Sequence, residues 1–150
     1  KQLQEYLLKR ELFQEYVISD YIFSKTRLFA GQNLQGDELR LFQSLFGTLN
    51  ASFPKPDLLV YLHRPVEELQ ENIRRRNRSY ESDISNEYLQ KIQQAYFEFF
   101  RMQKENIPIV LMDVSSMDFI NKEEDYKIVK EVLGRKYEPG LHRVRAAETF

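Results

Sequence analysis

In 150 residues, 42% of them hydrophobic and 13% aromatic, there is material for one domain with one buried core and too little for a second full one. Lys plus Arg number 22 against 23 Asp plus Glu, a net charge of -1, so no global field draws in nucleic acid or an anionic membrane, and any basic function must be local. The absence of cysteine excludes a disulfide framework and thiol chemistry and fits a reducing, cytoplasmic compartment.

In chain order, Gln2 to Phe13 has amphipathic helical spacing and reads as the middle of an element, as in a chain with residues upstream of Lys1. Tyr16-Val17-Ile18 is then a short β-forming run that ends at Ser19-Asp20. Leu41, Phe42, Leu45, Phe46, Leu49 and Phe53 recur at helical spacing until Pro54-Lys55-Pro56 stops the helix. The stripe is core first, and it is wide enough to serve as a helix-on-helix dimer face.

Leu58 to Leu62 predicts a second buried strand, ending at His63-Arg64-Pro65, and Pro65 opens a helix with Val66, Leu69 and Ile73 on one face. A further helix carries Ile84, Tyr88, Ile92, Tyr96 and Phe99. Ile109 to Met112 predicts a third strand, ending at Asp113, and a last helix runs from about Glu123 to Leu133 and stops at Gly134. Residues 1–134 form the domain and residues 135–150 a polar tail. Strands alternating with helices predict an α/β fold, a parallel sheet flanked by helices, with ligands at the edge where the strands end. No apolar run approaches the roughly 18–20 residues that span a bilayer, so no membrane partner is expected.

The chemistry concentrates in Arg74, Arg75, Arg76 and Arg78, four guanidinium groups in five positions at a helix end before Ser79-Tyr80. On a continuing helix Arg74 and Arg78, or Arg75 and Arg78, share a face and can converge on one anion, as phosphoryl transfer requires. A solvated basic face, favoured by the negative end of the helix dipole, is the competing reading. Flanking Glu67, Glu68, Glu71, Glu81 and Asp83 would repel a polyphosphate chain, which argues against nucleic acid. Asp20 is placed to bind a substrate hydroxyl or a hydrated metal, or to cap the segment after it. His63 and His142 lack ligand spacing, so no protein-held metal site is expected. No glycine-rich phosphate loop occurs among the five isolated glycines.

Taken together, "VISDYIFSKTRLFA", "PDLLVYLHRPVEELQENIRRRNRSYE", "ISNEYLQKIQQAYFEFF" and "IPIVLMDVSSMDFINKEEDYKIVKEVL" resemble, in order, the deoxynucleoside kinase family, from about Tyr16 to Leu133. The resemblance is most specific from Pro56 through Glu81, where an arginine-rich lid ends in R-x-R-x-x-E; thymidylate kinases share a looser version. It implies a P-loop-kinase-like fold of which this chain is the C-terminal two thirds, the phosphate loop and the general-base carboxylate lying upstream.

It further implies ATP-dependent phosphorylation of the 5′-hydroxyl of a deoxynucleoside, with Mg²⁺ carried largely by the phosphates and dimerisation through the helix of residues 37–53. Arg76 and Arg78 match the lid arginines that close over the donor's phosphates. Glu81 matches the glutamate that contacts the sugar hydroxyl, Asp118 and Phe119 fall in the loop around the donor's adenine, and Asp20 matches the acid of the family's D-R-S or E-R-S motif. Two departures stand out: Tyr21 replaces the arginine after that acid and Asn72 the arginine opening R-I-x-x-R-x-R, which leaves Arg74 or Arg75 to substitute. The resemblance leaves open a thymidylate-type monophosphate kinase and a non-catalytic kinase-like module. The Ser-Asp-Tyr variant is also similar to the kinase half of bacterial fusions with a pterin pyrophosphokinase.

Overall fold

The computed structural model of the chain describes residues 16–145 apart from 52, 54, 82 and 116; the helix expected over Gln2 to Phe13 lies outside that range. The chain divides into two compact units, one ending at Lys55 and one beginning at Pro56.

The described part of the first unit is a helical hairpin, α1 (Phe23–Asn33) and α2 (Gly36–Asn50), joined by Leu34 and Gln35. Gly36 opens α2 at φ +55, a conformation that a side chain would strain. Aromatic stacking holds the pair: Phe23 lies 4.8 Å from Phe46 and 4.4 Å from Phe53, ring centre to ring centre. Leu41, Leu45 and Leu49 remain exposed along α2 at four-residue intervals. One expectation fails here, and one helix had no counterpart in the sequence reading. Residues 16–19 form no strand, and Tyr16 and Ile18 are 81% and 78% exposed, because three β-forming residues make no ladder without a neighbouring strand, and none pairs with them among the described residues. Helix α1 was not anticipated, its residues carrying neither a cap nor a clear apolar stripe.

The second unit is a three-stranded parallel sheet in the order β1 (Leu59–His63), β2 (Pro108–Asp113), β3 (Gly140–Arg145). Two helices, α3 (Val66–Arg76) and α4 (Asn86–Gln103), connect β1 to β2, and α5 (Glu123–Gly134) connects β2 to β3. The register sets Val60 opposite Val110 and Val110 opposite His142. Central β2 is apolar from Pro108 to Met112, because both of its faces are covered, and ends at exposed Asp113. Ile109 packs with Phe100 of α4 and with Ile107, while Val110 and Met112 pack with Val114, Met117 and Val132 of α5. Each such side chain, fully removed from water, contributes roughly 1.5–3 kcal/mol.

The segment of residues 135–150, read from sequence as a polar tail, contains β3. Among the described residues this strand pairs with β2 alone, and its side chains alternate between the sheet's two faces, so Leu141, Arg143 and Arg145 are exposed between half-buried Gly140, His142 and Val144, and no apolar run marks it. Among the described residues no helix is long and apolar enough to cross a membrane.

Candidate active site

Helix α3 gathers Arg74, Arg75 and Arg76 in its last turn, where the helix dipole favours cations, and Glu67 and Glu68 in its first. It stops at Asn77, which adopts the left-handed conformation (φ 48) and donates its backbone N–H to the carbonyls of Ile73 (3.2 Å) and Arg74 (3.1 Å). Arg78 therefore lies beyond the helix, and the four-residue spacing to Arg74 no longer puts the two on one face. The expected Arg74–Arg78 and Arg75–Arg78 pairings give way to another convergence.

A 3-10 turn, Ser79–Glu81, swings Glu81 back beneath the arginines. Arg78 Nη1 donates to Glu81 Oε1 at 3.3 Å and to the Tyr80 hydroxyl at 3.2 Å, and Arg76 Nη2 lies 3.6 Å from Glu81 Oε2. The Glu81 side chain is only 12% exposed, against 53% for Arg76 and 51% for Arg78. Oε2 is buried and accepts no hydrogen bond, the Arg76 contact being an ion pair beyond bonding distance. Tyr80, and after it Glu81, raise the pKa of Arg78 above its ordinary value. The result is two half-exposed guanidinium groups aimed at one carboxylate that retains acceptor capacity. The arginine-rich segment is braced at its base, where the Gln70 side-chain amide of α3 donates to the carbonyl of Ile84, just before Ser85 caps α4 by accepting the N–H of Tyr88 at 3.1 Å.

Asp118 and Phe119 occupy the turn that follows β2. Asp118 Oδ1 accepts the N–H groups of Ile120 (3.1 Å) and Asn121 (3.2 Å), and Oδ2 accepts the Asn121 amide at 2.7 Å. These bonds, those from Asn121 foremost, hold its pKa below the usual carboxylate range. The carboxylate thus organises the turn. Phe119 is half-buried against the core cluster of Val110, Met112 and Val132. The side chain the turn presents outward is Ile120, 90% exposed. Sequence reasoning missed Ile120, and a lone apolar residue between Phe119 and Asn121 gives no signal of its own.

A groove of about 590 Å³ runs between Leu69, Asn72, Ile73, Arg75 and Arg76 of α3, Leu89 of α4, and Ile120. The structure thus brings Arg75 and Arg76 to the same groove as Ile120, with Asn72 where a further arginine was expected, while Arg74 is exposed at the end of α3. Asp20 lies in the first unit, exposed ahead of α1, and does not cap that helix: the cap position is Ile22, with no side-chain cap bond. Tyr21 bonds the hydroxyl of Thr26. His63 ends β1 with a buried Nδ1 that has no hydrogen-bond partner among the described residues. Among the described residues there is no group of three or more His, Asp or Glu able to hold a metal ion.

Residues 2–136 match the model of the deoxynucleoside kinase family. The chain is 30% identical to a deoxyadenosine kinase of Dictyostelium discoideum over 143 residues, covering 86% of this chain and 57% of that protein. It is 26% identical to a deoxyguanosine kinase of Bacillus subtilis (strain 168) over 114 residues, covering 74% of this chain and 55% of that protein. The chain therefore spans just over half the length of these relatives, and β3 follows the end of the family match. With the match reaching across the arginine cluster, both of its flanking helices and the turn after β2, the chain belongs to the deoxynucleoside kinase family.

Proposed function

We propose that the whole protein transfers the γ-phosphate of ATP to the 5′-hydroxyl of a deoxynucleoside. The observation that carries the reading is the convergence of Arg76 and Arg78 on Glu81 beside a groove that ends at Ile120. Residues 1–134 belong to the kinase domain in this reading, which the family match supports.

In the proposed mechanism the donor's base lies in the groove near Ile120 and the Asp118–Phe119 turn, and its phosphates reach Arg76 and Arg78. Planar, always-charged guanidinium groups stabilise the charge that spreads over the transferring oxygens without any covalent step. Arg74 and Arg75 add positive potential at the same helix end. Arg78 exchanges Glu81 for phosphate, which releases Glu81 to accept a hydrogen bond from the sugar hydroxyl through the acceptor capacity it already has. Mg²⁺, carried by the phosphates, supplies further charge neutralisation when bound. Asp20 stands as a second substrate-binding residue, on the motif match alone. The cytoplasm, where ATP is available, is the matching compartment.

The homodimer through residues 37–53 is part of the same proposal. Exposed Leu41, Leu45 and Leu49 form an apolar stripe along α2 that a second copy would cover.

The test is ATP-dependent turnover by the complete protein on a panel of deoxynucleosides and deoxynucleoside monophosphates, with product identification. Monophosphate formed from a nucleoside supports the reading, diphosphate formed from a monophosphate replaces it with a thymidylate-type kinase, and no turnover on either leaves a non-catalytic module.

A further inference from the structure

Arg64, the residue after β1, makes contacts that the proposed lid chemistry does not use. Its guanidinium Nη2 donates to the carbonyl of Met117 at 2.6 Å, and Nη1 donates to Glu68 Oε2 of α3 at 3.0 Å. Its own carbonyl accepts the side-chain amide of Gln93 in α4 at 2.7 Å. The side chain is 20% exposed and that of Glu68 33%, so the fork is largely out of water, where charge-assisted bonds hold their geometry. One residue thereby ties the end of β1, the arginine-bearing helix, the helix after the lid and the loop after β2.

These ties bear on the groove. Met117 immediately precedes the Asp118–Asn121 turn that presents Ile120 on one side, and Glu68 precedes Leu69 and lies one helical turn before Asn72 on the other. The turn has a second anchor, Asp125 of α5, whose Oδ2 accepts the Asp118 N–H at 2.6 Å, but α5 contributes no residue to the groove. The Arg64 fork reaches from Met117, on the Ile120 side, to Glu68, on the α3 side.

We infer that Arg64 is a positioning residue that fixes the width of this groove and so sets the affinity for the phosphate donor without touching it. The inference rests on the reading that the groove receives the donor's base. Because the fork serves two acceptors at a fixed angle, a lysine cannot replace it: a single ammonium reaches the carboxylate or the carbonyl with the wrong geometry for both.

The test uses the complete protein and two readouts. In steady-state kinetics with Mg-ATP and deoxyadenosine or deoxyguanosine, Arg64→Met raises the KM for ATP at least about fivefold, while the nucleoside KM stays within about twofold. Arg64→Met/Glu68→Met, which removes the stranded carboxylate, does not restore the ATP KM if the fork matters rather than the charge. Amide hydrogen exchange, read without any substrate, speeds up at Ile120 and Asn121 in Arg64→Met but not in α5. Unchanged exchange there, parallel rises in both KM values, or full recovery in the double variant would overturn the strut. Wild-type protein that neither binds ATP nor turns over sinks the kinase reading and the donor role of Arg64 with it, whatever the exchange data say about the turn.

Discussion

At the residue scale the account turns on Glu81, held by Arg78 at 3.3 Å and Arg76 at 3.6 Å with one oxygen still short of a hydrogen bond. If that oxygen receives the sugar hydroxyl, Glu81→Gln weakens a bond to a charged acceptor worth about 1.5–3 kcal/mol. The expected result is a nucleoside KM raised about tenfold or more with the ATP KM unchanged or lower, since the arginines lose their internal counter-ion. A raised ATP KM with an unaltered nucleoside KM would assign Glu81 to the wrong substrate. Asp118 offers a pH test. Its pKa in the fold lies below the ordinary carboxylate value of about 3.9, so its support of the turn is present above that value and is lost as pH falls through the lower, folded value. The Asn121 side-chain amide resonances should hold their native shifts down through pH 4 and move only below it; movement between pH 6 and 5 would mean that Asp118 does not order the turn.

At the scale of elements, strong apolar runs were legible and weak ones were not. The strands over Leu58–Leu62 and Ile109–Met112 stood out as unbroken apolar runs, which central β2 needs because both its faces are covered and of which β1 leaves Leu62 exposed, and the observed elements differ from those expectations by a residue or two. Helix α4 was legible from Tyr88, Ile92, Tyr96 and Phe99 at helical spacing, although Ile84 precedes the helix and it is Phe100, not Phe99, that is fully buried, packed with Tyr96 on Ile109 and Tyr61. Truncating the centre of that contact, Phe100→Ala, should cost about 3–5 kcal/mol in urea denaturation, and a loss under about 1 kcal/mol would mean that α4 does not seal the sheet. Strand β3 was missed because it is held by backbone pairing to β2 while half of its side chains face water. Tyr16–Ile18 was misread because composition alone cannot supply a neighbouring strand. The arginine cluster was visible as a charge run, yet its geometry was not: which arginines converge was decided by the left-handed turn at Asn77, and a single asparagine in a polar stretch does not announce such a turn.

At the scale of the whole molecule, the chain covers 57% and 55% of the two relatives, and its two compact units carry different parts of the proposal. The first holds the apolar face of α2. If a second copy covers it, Leu45→Glu places a charge in that interface and should convert a dimer to a monomer in sedimentation at micromolar concentration; an unchanged dimer would move the interface elsewhere, and a monomeric wild type would remove it. The second unit holds the arginine lid, the groove and the turn after β2. The central claim is that the lid stabilises a transferring phosphoryl group, and it is tested most directly by comparing the complete wild-type protein with Arg78→Ala in ATP-dependent phosphorylation of deoxyadenosine and deoxyguanosine. Loss of a guanidinium that acts in the transition state predicts a kcat at least about tenfold lower with nearly unchanged nucleoside affinity. An unchanged kcat would contradict the account and return Arg78 to a solvated basic surface.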